Sequence, residues 1–160
     1  MKLVEDVVGP GRASDVRARL AKAGWTRWPL LDRGSYEYVD SPNAPEVLEA
    51  MVAIASEATG RSLAVVSSRA FRLAPGDYVL VRHDRVYDDR PVEVVVDLSR
   101  TPVEGAEVHY RHRGQVFFVV PSRPGAVAIV ERGPTVMRNQ TYVSKRWKDA
   151  EVVRLFALLR

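Results

Sequence analysis

YVLVRHD (78–84), PVEVVVDLS (91–99), AEVHYRH (106–112), QVFFVV (115–120), GAVAIVE (125–131), TVMRN (135–139), TYVSK (141–145) and EVVRLFALL (151–159) follow one another through the C-terminal half of the chain. Turn signals separate them: Asp88-Asp89, Thr101-Pro102, Gly105, Arg113-Gly114, Pro124-Gly125 and Gly133-Pro134. β-Branched and aromatic residues between glycine and proline breaks describe short antiparallel strands. No helical period intervenes to supply the crossovers of a parallel sheet. Segments of this number and spacing fit one jelly-roll module.

The front half reads differently. Ser14 is placed to cap a helix with Asp15 in its first turn, Val16, Leu20 and Ala23 on one face, and Gly24 closing it. A second helix has Asn43 as N-cap, Pro45 in its first turn and Glu46 three residues after the cap, as in a capping box. Val47, Leu48, Met51, Val52, Ala55 and Ala58 then recur at helical spacing, and Gly60 ends the run. Between the helices, WTRWPLLDRGSYEYVD (25–40) predicts a strand pair or an irregular edge, and 63–66 and 70–73 predict two further strands. The expected organisation is a single domain, 1–160. Residues 1–74 form a helical buttress with edge strands, and 75–160 form the jelly-roll core. The fold class is α+β, mainly β.

Bulk composition narrows the function. At 160 residues the chain can bury a core without staples, and with no cysteine it has neither disulfide, thiolate metal site nor thiol nucleophile. Acids interrupt the only apolar run of the N-terminal MKLVEDVVGPGRAS, unlike a signal peptide, and no run approaches the ~20 apolar residues of a membrane span. A cytoplasmic, membrane-free protein is expected. The net charge is +4, and only Lys2, Lys22, Lys145 and Lys148 are lysines, so arginine dominates the basic residues. Arginine suits carboxylate or phosphate recognition, and a GC-rich genome that prefers arginine codons gives the same bias. Nucleic-acid binding needs the charge gathered on one face. HYRHR (109–113) and MRNQTYVSKRWK (137–148) are the basic clusters, both set among acids, so nucleic acid is not an expected partner.

The histidines are His83, His109 and His112. His109 and His112 are three apart, which sends them to opposite faces of an uninterrupted strand. No HxH, HExxH, GxSxG or phosphate-loop motif is present. His83 stands in APGDYVLVRHDRVYDDRPVEVVVDLS (74–99), beside Asp84. From Pro75 onward the order of motifs resembles the 2-oxoglutarate- and Fe(II)-dependent oxygenase superfamily, in particular its prolyl-hydroxylase-like branch. The corresponding stretches are Pro75-Gly76-Asp77-Tyr78, then 94–99 (VVVDLS), 105–108 (GAEV), 121–130 (PSRPGAVAIV) and 154–159 (RLFALL). The front helices, with Leu20 and Gly24-Trp25, match that family's helical support. The resemblance implies a double-stranded β-helix (jelly roll), Fe(II) and 2-oxoglutarate as cofactors, and Arg154 as the clamp for the cosubstrate's distal carboxylate.

The metal motif departs from the pattern. The family holds iron with two histidines and a carboxylate, of which the first pair is HxD on one strand face. Here Arg82-His83-Asp84-Arg85 offers His83 with Arg85 in the carboxylate slot, or Asp84 with Arg82 in the histidine slot. The distal histidine is replaced, with Gln140 or Tyr142 in its place, and the spacing to Arg154 favours Tyr142. The candidate metal residues are thus His83, Asp84 and Tyr142. Arg154 shares strand phase with Val152, Phe156 and Leu158, so it is expected inside the sandwich against a carboxylate, either of a bound acid or of Glu93 or Asp97. The leading reading is an oxygenase-like protein with an eroded metal triad and a binding or regulatory role. The alternatives are an active dioxygenase with unusual ligands and a cupin-like structural or assembly protein. A small molecule or peptide is the expected partner, and homo-oligomerisation through strands is open to it.

Overall fold

The computed structural model describes residues 1–29, 35–81, 84–85 and 87–160. Ten strands and two helices follow in the order β1 (Lys2–Val4), α1 (Pro10–Ala21), β2 (Thr26–Pro29), β3 (Ser35–Asp40), α2 (Pro45–Thr59), β4 (Val65–Leu73), β5 (Val92–Asp97), β6 (Val108–His112), β7 (Gln115–Val120), β8 (Val127–Glu131), β9 (Val136–Gln140) and β10 (Val152–Leu159). A seven-stranded sheet runs β1-β8-β5-β10-β4-β3-β2, and a three-stranded sheet runs β7-β6-β9. Every strand pairing is antiparallel. This is the mainly β jelly roll with two N-terminal helices that the segment pattern predicts.

Alternation along β5 and β10 divides the large sheet into two faces. Val92, Val94 and Val96, with Val153, Leu155, Ala157 and Leu159, point to one side and join the helices in an aliphatic core. There α2 contributes Val47, Met51 and Ala55, all fully buried, so the amphipathic helix covers the sheet face as expected. Phe71, Val95, Val130, Val152 and Phe156 point to the other side, where Val108, Tyr110 and Val120 of the small sheet meet them. Gly125 fixes the turn before β8. Its φ is +85°, and a Cβ would stand 2.5 Å from the Val8 carbonyl oxygen, so only glycine fits.

Several local expectations are corrected. α1 begins at Pro10 behind Gly9 rather than at a Ser14 cap, because proline's fixed φ suits the first helical position. Ala44, not Asn43, is the N-cap of α2, with no side-chain cap; Glu46 instead pairs with Arg19. Residues 65–66 and 70–73 belong to one strand, β4, which runs from Val65 to Leu73 along β10, and 63–64 precede it. The segment 141–145 is not a strand, and of 78–84 the described residues contribute one bridge, Val79 to Gln140. Residues 30–34, between β2 and β3, lie outside the described residues.

Candidate functional site

Charged side chains collect on the inner face of the large sheet at two places. The first is built on Glu93, which the period of β5 turns inward beside Val95 and Asp97. Arg132, just past the end of β8, is fully buried and donates to Glu93 Oε2 at 2.8 Å and to Asp84 Oδ2 at 2.5 Å. Arg138, in phase with Gln140 on β9, brings its Nε to 3.0 Å from Glu93 Oε1 and 3.7 Å from Asp84 Oδ1. Its backbone N–H also donates to Asp84 Oδ2 at 2.6 Å, and its guanidinium lies 4.1 Å from the Phe156 ring centroid. Tyr110 completes the group with its hydroxyl donating to Glu93 Oε1 at 2.8 Å. Two carboxylates thus face two guanidinium groups, and both members of each kind are engaged.

Burial and charge compete inside this cluster. Burial works to raise the Glu93 pKa, but Arg138 and Arg132 outweigh it and hold the group below the ordinary glutamate value. For Asp84 burial prevails over the same two arginines, and its carboxyl is raised. Two like charges sharing the same cations part in this way. Burial would lower both arginines, yet Glu93 and Asp84 keep them above their ordinary value. A cleft of about 280 Å³ opens onto the cluster, with Asp84, Glu93 and Arg138 in its wall and Tyr36, Phe71 and Phe156 beside them.

The second place is Arg154. It faces the small sheet, as its strand phase requires, and is 1% exposed. Its partners are neutral: Nη1 donates to Gln140 Oε1 at 3.1 Å and Nη2 to the Ala106 carbonyl at 2.5 Å. Arg154 Nε and Gln140 Nε2 are buried with no hydrogen-bond partner among the described residues. Burial lowers the Arg154 pKa, and Asp97, its neighbour across β5, opposes that only in part. Neither expected internal carboxylate pairs with it. Glu93 is taken by the first cluster, and Asp97 accepts from the Ser99 backbone N–H at 2.8 Å and from Ser122 Oγ at 3.0 Å.

The candidate metal residues are not brought together among the described residues. His83 lies outside the described residues. Asp84 sits on a bend whose N–H donates to the Val81 carbonyl, so the two-residue strand period that posed the choice of register does not apply to it. Tyr142 is 47% exposed and tilted against Tyr78, 6.3 Å between ring centroids. Gln140, the other position weighed for the distal ligand, serves Arg154. The β9 side chain that reaches Asp84 is Arg138, which sequence reasoning missed although it shares phase with Gln140. His109 is bonded to Glu107 at 2.7 Å, and His112 Nδ1 to Thr135 Oγ1 at 2.8 Å. No group of three histidine or acidic side chains able to hold a metal occurs among the described residues. Among the described residues the donor set does not fit an iron centre, because Asp84 already neutralises guanidinium charge.

No protein-family model matches the chain, and no curated protein matches its sequence. Solved structures do match over nearly its whole length. A non-heme alpha ketoglutarate dependent carbocyclase from nogalamycin biosynthesis is 17% identical with a TM-score of 0.73, covering 98% of this chain and 78% of its own. A Pseudomonas putida prolyl-4-hydroxylase is 17% identical with a TM-score of 0.67, covering 99% and 91%. The viral collagen prolyl hydroxylase of Paramecium Bursaria Chlorella virus-1, solved as a 2OG complex, is 14% identical with a TM-score of 0.67, covering 99% and 94%. At such identities the likeness is one of fold, and the fold is that of the 2OG-Fe(II) oxygenases.

Proposed function

We propose that this protein is a non-catalytic member of the oxygenase fold that binds a small carboxylic acid at Arg154. The observation that carries the reading is the engagement of Asp84 by Arg132 and Arg138. A metal ligand must offer free lone pairs and bring negative charge to the ion. Asp84 offers its oxygens to two cations, and Arg138 carries a positive charge to the spot where a distal ligand would have to donate.

Arg154 supports the second half of the reading. The two unpaired buried atoms beside it, its own Nε and Gln140 Nε2, are both donors. Two orphaned donors on adjacent side chains call for an acceptor, and a buried guanidinium without a bonded anion favours a charged one. A carboxylate meets both demands, and 2-oxoglutarate is the acid to try first.

Calorimetry under anaerobic conditions tests the metal half: no stoichiometric binding of Fe(II) is expected. Stoichiometric iron binding with succinate release from 2-oxoglutarate would restore the reading as an active dioxygenase. A thermal-shift series tests the other half. 2-Oxoglutarate should raise the melting temperature of the wild type and leave Arg154→Met unmoved. Equal shifts in both proteins, or none in the wild type, would remove Arg154 from the site.

A further inference from the structure

We infer that the groove between α1 and the end of the large sheet binds a small phosphorylated anion, at a site separate from the cleft and independent of the function proposed above. The groove has a volume of about 580 Å³, and Arg17, Arg72, Arg100, Trp25, Ser14 and Glu151 line it. It exists because positions 14, 17, 18 and 21 form one stripe of α1, and three of them are the small residues Ser14, Ala18 and Ala21.

The charges in it are unbalanced and positioned. Arg17 is half-buried and donates from Nη1 to the Leu98 carbonyl at 2.8 Å. Carbonyl oxygens orient the guanidinium without cancelling its charge, and Arg17 has no carboxylate partner among the described residues. Arg100, exposed just after β5, has no ion-pair partner among the described residues either. Arg72 is neutralised by Glu37 at 2.6 Å and rests 4.6 Å from the Trp25 ring centroid. Its role is to wall the groove. Glu151 is the one acid in the lining, so the free cations Arg17 and Arg100 leave an excess of positive charge.

A phosphate group suits this arrangement better than a carboxylate. Its three oxygens and near-double negative charge can take bidentate bonds from two guanidinium groups and still overcome the repulsion of Glu151. The hydroxyl of Ser14, on the exposed side of α1, supplies one further donor.

Inorganic pyrophosphate is the probe, followed by calorimetry on the full chain. Wild type should bind it. Arg100→Gln should weaken binding about tenfold, the effect of losing one hydrogen bond to a charged group. Glu151→Gln should strengthen it, and succinate at the same concentration should not compete. Arg100 is exposed and unpaired, so its variant should melt as the wild type does, and Arg154→Met should bind pyrophosphate normally. The inference is overturned if wild type shows no binding at millimolar pyrophosphate, if both charge variants bind unchanged, or if succinate competes equally.

Discussion

Arg138 and Arg154 are both arginines of the sandwich interior, yet they stand in opposite electrostatic states. Arg138 meets two carboxylates, and its positive charge is strengthened by them. Arg154 meets two carbonyl oxygens and keeps one nitrogen unpaired, and burial weakens its hold on the proton. The difference separates a site whose polar bonding is complete from one whose bonding is not. A saturated cluster has no bonding capacity left and acts as structure. An unsaturated one carries a cost that only a further acceptor can remove.

The largest expected effect lies in the saturated cluster. Glu93→Gln keeps the shape but leaves two buried guanidinium groups with the single charge of Asp84. Breaking a buried pair in this way costs about 3–5 kcal/mol. Urea denaturation at neutral pH should read that loss, and most of it should return in the double variant Glu93→Gln/Arg132→Met, which removes a cation as well. A loss below ~1 kcal/mol, the range of an exposed ion pair, would mean that the cluster is solvated.

Acid should erase part of the same difference. Glu93 is held below its ordinary value, so its stabilisation is complete above that value and is lost as pH falls through the folded pKa. The deficit of Glu93→Gln relative to wild type should therefore shrink from neutral pH into the acid range. Asp84 runs the other way. With its folded pKa raised, its native form takes up a proton before the unfolded form does, which favours the fold as pH drops through the raised value. Asp84→Asn should flatten that upward contribution. A Glu93→Gln deficit that stays constant down to the acid transition would show that Glu93 is not ionised in the native protein.

How far these clusters were legible depends on the distance over which the signal acts. Alternation in VEVVVD and VVRLFALL carries the inward placement of Glu93, Asp97 and Arg154, because a strand's period of two is local. The jelly roll follows from the same signal repeated between turns. Pairing is not local. Arg132 stands 39 residues from Glu93 and 48 from Asp84, and in sequence it reads as part of a Gly-Pro turn. Arg138 reads as a member of a basic surface cluster until β9 is seen to turn it inward. The caps differ for another reason: proline at the first helical position sets where both helices start, and the residues before it, Gly9 and Ala44, carry no capping side chain. The bend at Asp84 was hidden by the expectation of a strand, since nothing in YVLVRHD marks where pairing stops.

A smaller effect is expected at the unsaturated cluster. Arg154→Met replaces a desolvated charge with an apolar chain of similar length, and no carboxylate loses a hydrogen bond, since Asp97 keeps those from Ser99 and Ser122. Stability should stay within about 1 kcal/mol of wild type or rise, as it does when apolar groups replace a costly buried charge. The contrast with Glu93→Gln is the point: two substitutions of buried charge on one sheet face, with unlike outcomes. A loss of ~3 kcal/mol or more in Arg154→Met would reveal a charged partner and erase the contrast.

The finest test changes the neighbour instead of the arginine. Gln140→Glu removes the orphaned donor Nε2 and puts an acceptor in its place, on the side chain that already accepts from Arg154 Nη1. It also gives the guanidinium the anion it lacks. Hydrogen bonds to charged groups contribute about 1.5–3 kcal/mol, and desolvating the new carboxylate takes back part of that, so a net gain of about 1 kcal/mol is expected. The gain should vanish in acid as the introduced carboxylate is protonated. It should also supply the missing acceptor from within, so the variant should lose any thermal shift with 2-oxoglutarate while melting higher than wild type. A variant that melts lower and still responds to the acid would mean that Arg154 is already satisfied, and that its two neutral partners suffice.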